Sequence, residues 1–241
     1  VSIEITNGKG MNNFILKLPH RFLTGILIVV GLGYGQMVIA QSPGMNWKGK
    51  PVVVGLDIGQ TIPSFVGGKE YPIQNFVVIE PVVGFNTSER KWTMLTAGYI
   101  QGRTFEMNNL AVPQIDLKGM YSRLCFETFN NKAKFIRVGY GPVVSLYSLK
   151  GSYQFEGPVF GNYEGNFKYP INLFFGFHGS LAFDTPIGKR LRVRLSGQCT
   201  TGLKLGGELR SSYIPGVGLS HSPGVFAIGI NGGLHLFYTL R

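Results

Sequence analysis

The feature that most narrows the fold is the alternation of side-chain character that fills the chain after residue 50. In an extended strand successive side chains point to opposite faces, so an apolar residue at every second position marks one continuous apolar surface. Eight segments carry this pattern: Val52–Gln60, Asn75–Asn86, Lys91–Gly102, Gln114–Phe129, Lys134–Tyr147, Tyr169–Asp184, Lys189–Gly202 and Val225–Leu240. The seventh is the cleanest, with Leu191, Val193 and Leu195 alternating against Arg190, Arg192, Arg194 and Ser196. Several segments match or exceed the roughly 9–11 residues that a tilted strand needs to cross a bilayer. In the fourth, Ile115 and Leu117 oppose Asp116 and Lys118, whereas Leu124 and Phe126 oppose Arg123, Cys125 and Glu127, which predicts a bulge near Gly119–Ser122.

The connections sharpen the assignment. Three are short, Thr87–Arg90, Asn130–Lys132 and Thr185–Gly188, and four are long, Ile62–Gln74, Arg103–Pro113, Ser148–Lys168 and Leu203–Gly224. Short and long alternate without exception, as they must in an even-stranded barrel with tight turns at one rim and loops at the other. The expected fold is therefore all-β, an eight-stranded antiparallel up-and-down transmembrane β-barrel. Size separates this from a soluble barrel. The polar set is rich in Gly, Ser, Asn and Arg, which fit a narrow interior, while the apolar set carries the Phe, Leu and Tyr suited to lipid. A content of 35 Gly and 13% aromatic residues agrees.

The start of the chain reads as an export signal. From Met11, the basic Lys17 and Arg21 precede the apolar run Phe22–Leu32, and Val38-Ile39-Ala40 supplies small residues for cleavage. The apolar run falls short of the roughly 20 residues of a spanning helix. The expected organisation is an upstream, non-native extension over 1–10, a signal peptide over 11–40 cleaved near Ala40, and an outer-membrane barrel over 41–241.

Eight strands leave a bore just wide enough for side chains, so inward polar groups should pack as a plug. The phasing turns the bases Lys118, Arg123, Arg137, Arg190, Arg192 and Arg194 inward with the acids Asp57, Glu80, Asp116, Glu127 and Asp184. This near balance predicts an ion-paired interior, because unpaired buried charge costs several kcal/mol. The network is expected to centre on Asp57, Glu80, Asp116, Arg137, Asp184, Arg190, Arg192 and Arg194. A narrow channel lined by the arginines is the alternative.

Net charge is +11, yet the basic residues are dispersed and the dense group on the seventh segment has a strongly apolar opposite face. This excludes a nucleic-acid patch and points to outer-membrane lipid and lipopolysaccharide headgroups as partners. Cys125 and Cys199 form neither a metal set nor a disulfide framework and fall on strands distant in sheet order. No metal or cofactor is expected. Glycine pairs such as Gly206-Gly207 lack the strand-to-helix context of a phosphate loop. The Ser148–Lys168 connection, with Tyr153, Phe155, Phe160, Tyr163 and Phe167, serves either to bind a partner protein or glycan or to cap the barrel mouth.

His178-Gly179-Ser180 is similar to the base and nucleophile pair of lipid A deacylases, barrels whose catalytic groups face outward, with Asn after the Ser and an acid about a dozen residues on. Here Leu181 follows, the later region reads Leu191-Arg192-Val193, and both side chains phase inward. Catalysis is not expected, and a lipid-modifying enzyme stands only as an alternative. The closing run Asn231-Gly232-Gly233-Leu234-His235-Leu236-Phe237-Tyr238 resembles the signal read by the barrel-assembly machinery, with Asn231, Gly233, Leu236 and Tyr238 at its marked positions; the chain continues through Thr239-Leu240-Arg241 where such proteins commonly end on an aromatic. The run Phe135–Val144 and the strands around Phe175–Arg194 resemble the outer-membrane barrels of Bacteroidota that include PorT-like proteins, and small barrels of the OmpX and OmpA type. The resemblance implies an eight-stranded outer-membrane barrel, non-enzymatic, serving envelope integrity, surface interaction or a secretion assembly.

Overall fold

The computed structural model describes residues 51–59, 73–104, 114–129, 133, 135–155, 163–205, 213–221 and 224–240. The expected extension and signal peptide lie outside the described residues. The barrel occupies the compact unit Lys48–Arg241.

Ten strands follow one another: β1 (Val52–Asp57), β2 (Ile73–Ser88), β3 (Lys91–Thr104), β4 (Gln114–Phe129), β5 (Ile136–Phe155), β6 (Tyr163–Pro186), β7 (Leu191–Leu205), β8 (Tyr213–Ile214), β9 (Gly218–His221) and β10 (Phe226–Thr239). Each of β1 to β6 pairs antiparallel with the next, β7 pairs with β10, and β10 pairs with β1, closing a ring of eight. The fold is an all-β, antiparallel up-and-down barrel. Closure is uneven. β1 covers β10 only from Val53–Thr239 to Asp57–His235, and β9 takes the same edge further up, from Leu219–Ile230 to His221–Ile228.

Side-chain parity places bulky apolar groups outside. Tyr140, Phe177, Leu195 and Ile230 are each more than half exposed, while Arg137, His178, Arg194 and His235 on the same strands are buried. β4 departs from the expected pattern. Its register with β3 runs unbroken from Thr104–Ile115 to Lys91–Thr128, so the bulge near Gly119–Ser122 is absent. Ile115 and Leu117 therefore point inward, and Asp116 and Lys118 outward. The cause is a change in the filling of the bore with height: its upper half is apolar.

The long Ser148–Lys168 connection is also mostly strand. β5 and β6 continue as a two-stranded ribbon through the pairs Lys150–Lys168, Ser152–Asn166 and Tyr153–Gly165, after a bulge between Tyr147 and Leu149. Tyr153, Phe167 and Tyr169 pack from this ribbon against the upper core, which favours the capping role for these three; Phe160 lies outside the described residues.

That upper core gathers Phe76, Ile100, Ile115, Leu117, Tyr147, Leu149 and Phe174 from the wall with Tyr213, Ile214 and Val217 from the last connection. The hairpin β8–β9 brings these three in. Pro215 and Gly216 form its turn, Gly216 has a φ of 74°, and the Val217 amide donates to the Ile214 carbonyl at 3.0 Å. Pro at the second and Gly at the third position with positive φ make this a type II turn. A smaller lower core joins Val53, Val82, Trp92, Met94, Cys125 and Phe237.

Candidate functional site

Below the upper core, interleaved with the residues of the lower one, lies a band of charge. Arg123, Arg137, Arg192 and Arg194 face Asp57, Glu80, Glu127 and Asp184, carried by β1, β2, β4, β5, β6 and β7. Inward parity delivers each of them, since a strand interior to a narrow barrel turns every second residue into the bore.

Two clusters result. In the lower one Arg194 makes a forked contact with Asp184, Nε to Oδ1 at 2.6 Å and Nη2 to Oδ2 at 3.2 Å, and its Nη1 donates to Glu127 Oε1 at 2.6 Å. Arg137 donates from Nε to the same Asp184 carboxylate, and its Nη1 stands 3.8 Å from Glu127 Oε2. Two arginines thus share two carboxylates. In the upper cluster Arg123 donates to Glu80 and to Gln198, and the Tyr121 hydroxyl also donates to Glu80. Forked guanidinium–carboxylate pairs are the strong form of this interaction, which offsets the cost of taking the charges out of water.

Aromatic faces complete the desolvation. Arg137 lies 5.3 Å from the Trp92 ring centre and 5.1 Å from that of Phe129, Arg194 lies 4.8 Å from Phe237, and Arg123 lies 5.3 Å from Tyr121. Each guanidinium bonds through its edge and stacks through its face, an arrangement that lysine could not reproduce. Glycine makes room for it: a Cβ on Gly98 would run into the Tyr121 ring.

A third group joins the barrel's ends. Asp57 Oδ1 accepts from the Gly59 amide at 2.7 Å and from the Leu234 amide at 3.0 Å, while the Ile58 amide donates to the Leu234 carbonyl. Asp57 Oδ2 stands 3.7 Å from His235 Nε2, and Ser196 Oγ meets that same nitrogen at 2.9 Å. These residue types resemble a catalytic triad, but the geometry is wrong. A relay needs the acid on one ring nitrogen and the hydroxyl on the other, whereas Nδ1 of His235 has no hydrogen-bond partner. Asp57, Glu80 and His235 also bring donor atoms within 4.8 Å of one another. There the Arg123 guanidinium on Glu80 already supplies the positive charge a metal would bring.

Of the residues expected in the network, Asp57, Glu80, Arg137, Asp184 and Arg194 come together, and Arg192 lines a small cavity beside Arg137 and Asp184. Asp116 does not join them. It is exposed on the outer face, its Oδ1 3.4 Å from Arg103 Nε. Lys118 is likewise exposed, and Arg190 stands at the tight-turn rim, where its Nη1 donates to the Tyr238 hydroxyl at 3.1 Å. Asp116 and Lys118 sit above the polar band, and Arg190 precedes the first residue of β7, where inward parity no longer applies. Lys204, also buried in the bore, was missed because the expected strand ended at Gly202; the alternation in fact continues to Leu205.

The remaining expectations fall as follows. His178 is buried and Ser180 faces inward, its hydroxyl 3.5 Å from Cys125 Sγ. Cys125 points into the bore and Cys199 out of it, so both are free. In the closing run Gly233 is buried, with Leu236 and Tyr238 on the outer face and Asn231 half-buried. The cavity left beside Arg123, Glu127, His178 and Gln198 measures about 30 Å³. It has room for about two waters.

No protein-family model matches the chain, and no curated protein matches it in sequence. Among solved structures it is similar to the N-terminal β-barrel domain of Pseudomonas aeruginosa OprF, at 10% identity and a TM-score of 0.28, over 79% of this chain and 97% of that one.

Proposed function

We propose that this chain is a non-enzymatic outer-membrane β-barrel whose bore is sealed, serving envelope integrity, surface interaction or a secretion assembly of the kind its resemblance to PorT-like barrels implies. One observation carries the reading: the faces are inverted relative to a soluble protein. Ion pairs and histidines fill the inside, and a contiguous belt of Phe, Leu, Ile and Tyr covers the outside, including Phe175, Phe177, Leu181, Phe183, Leu195 and Ile230. An apolar surface of that extent is untenable in water and suits the hydrocarbon of a bilayer.

Among the described residues, ion pairs and apolar side chains fill the bore and leave beside Arg123 a cavity of only about 30 Å³, which argues against the channel alternative. The histidine geometry argues against the enzyme. Export by a cleaved signal and insertion by the barrel-assembly machinery follow from the membrane placement and belong to the same proposal. The test is fractionation of cells expressing the chain, combined with gel mobility before and after heating. Recovery in the outer membrane with a mobility shift on boiling is expected, and recovery in the soluble periplasm overturns the reading. In planar bilayers the purified barrel should pass no steady current.

A further inference from the structure

Above the apolar belt the outer wall changes character abruptly on β3 to β6. On β4 the outward series passes from Phe126, Leu124 and Met120 to Lys118 and Asp116; on β5 it passes from Val144 and Leu146 to Ser148 and Lys150; on β6 Ile171 is followed three residues up by Lys168. Cross-strand register sets these groups side by side. Arg103 of β3 lies opposite Asp116 of β4, Asp116 opposite Lys150 of β5, and Lys150 opposite Lys168 of β6. One step nearer the belt, Lys118 lies between Gln101 and Ser148. Four exposed cations and one carboxylate therefore share a strip of wall spanning four strands. Glu164, the next acid on this face, stands four residues further along the ribbon.

Neighbouring strands lie about 4.8 Å apart, and second neighbours along a strand about 6.7 Å apart, so the whole strip measures roughly 14 by 7 Å. Like charges placed directly opposite one another destabilise a sheet, and Lys150 against Lys168 is such a pair. An anion lying across them converts that repulsion into attraction. The strip's height matches an anionic headgroup of the surrounding leaflet, because it begins within one inward–outward repeat of the last belt residue on β4.

We infer that Arg103, Lys118, Lys150 and Lys168 form a binding site on the outer wall for the phosphates of a membrane lipid of the loop-side leaflet, of lipid A chemistry. This rests on the membrane-barrel reading. It assigns the surplus positive charge a place: a lipid phosphate sits over β4–β6, its acyl chains descending along Met120, Leu146 and Ile171.

The experiment reconstitutes the full chain into phosphatidylcholine nanodiscs doped with lipid A, re-extracts it in mild detergent, and measures lipid A retained per barrel by mass spectrometry. Lys118→Gln/Lys150→Gln/Lys168→Gln is compared with the native chain. Retention is expected to fall about fivefold for each charge removed, on the order of a hundredfold for the triple variant. A Lys189→Gln control at the opposite rim should leave it unchanged. Equal retention by native and triple variant overturns the proposal. So does complete displacement of lipid A by inorganic phosphate at comparable concentration, which would make the strip a site for free anions. Boiling-dependent gel mobility, scored on the same samples, reads the barrel independently. A native chain that shifts on boiling but retains no lipid A fails this proposal alone; a chain that never enters the discs fails the membrane reading and this one with it.

Discussion

Arg194 illustrates what a buried charge does when every neighbour is chosen for it. It bonds Asp184 and Glu127 through its edge and Phe237 through its face. Arg194→Met would leave two carboxylates confronting Arg137 alone. Breaking a buried pair from one side costs about 3–5 kcal/mol, so the urea midpoint of the folded barrel in vesicles, followed by tryptophan fluorescence, should fall accordingly. Arg190→Ala, at the exposed rim, should leave the midpoint in place. Gly98 is the complementary case, small because Tyr121 needs the space beneath Glu80. Gly98→Val should cost about 1–3 kcal/mol in the same titration.

At this scale the sequence was legible across the charged band of the bore, though not at Lys204 above it. Asp57, Glu80, Arg123, Arg137, Glu127, Asp184 and Arg194 all follow from parity alone. It misled at Asp116 and Lys118, because the rule of polar inside and apolar outside holds only across the belt. Higher up, the outer wall carries Asp116, Lys118 and Lys150 and the bore fills with Ile100, Ile115, Leu117 and Phe174. Parity survives there while its chemical meaning reverses, and in the sequence that reversal mimics the phase slip of a bulge.

Among the elements, the hairpin β8–β9 was the least visible in advance. A strand of two residues has no periodicity to detect, and the local signal is Pro215-Gly216, a turn dipeptide inside the long Leu203–Gly224 connection. Its weight comes from tertiary burial: Ile214 and Val217 are wholly inaccessible. Ile214→Ala should therefore cost about 2–5 kcal/mol, whereas His221→Ala, at the exposed end of β9, should stay within about 0.5 kcal/mol. Equal costs would mean that the hairpin rests on the wall without supporting it. The β5–β6 ribbon was hidden differently. Its glycines suggested a loop, yet the pairing continues because Tyr153, Phe167 and Tyr169 find the upper core.

For the whole molecule, the decisive contrast is between lipid and water outside the wall. Phe177 projects from the middle of the belt, and Phe177→Arg has opposite signs in the two environments. In a bilayer it should destabilise the barrel by roughly 2–4 kcal/mol, measured by reversible urea unfolding in vesicles; in a water-soluble barrel an exposed Phe→Arg change would be neutral or would improve solubility. The eight strands of the ring and the alternation of its turns and loops were read from the sequence because they depend on local pattern; β8 and β9 were not. Uneven closure was not, since the extent of pairing between the first and last strands depends on contacts some 180 residues apart.

That unevenness has a kinetic corollary. A ring held by long ladders everywhere except on the two sides of β1 has a preferred place of rupture: β1 makes five pairs with β10 and six with β2, whereas the β7–β10 ladder runs unbroken from Leu203–Phe226 to Leu191–Tyr238. Amide protons along β1 should exchange with deuterium ahead of those in β4–β6. Fluctuation would start there, turning a closed cylinder briefly into a curled sheet with two exposed edges, and Asp57, gripping the amides of Gly59 and Leu234, is the clasp that shuts it again.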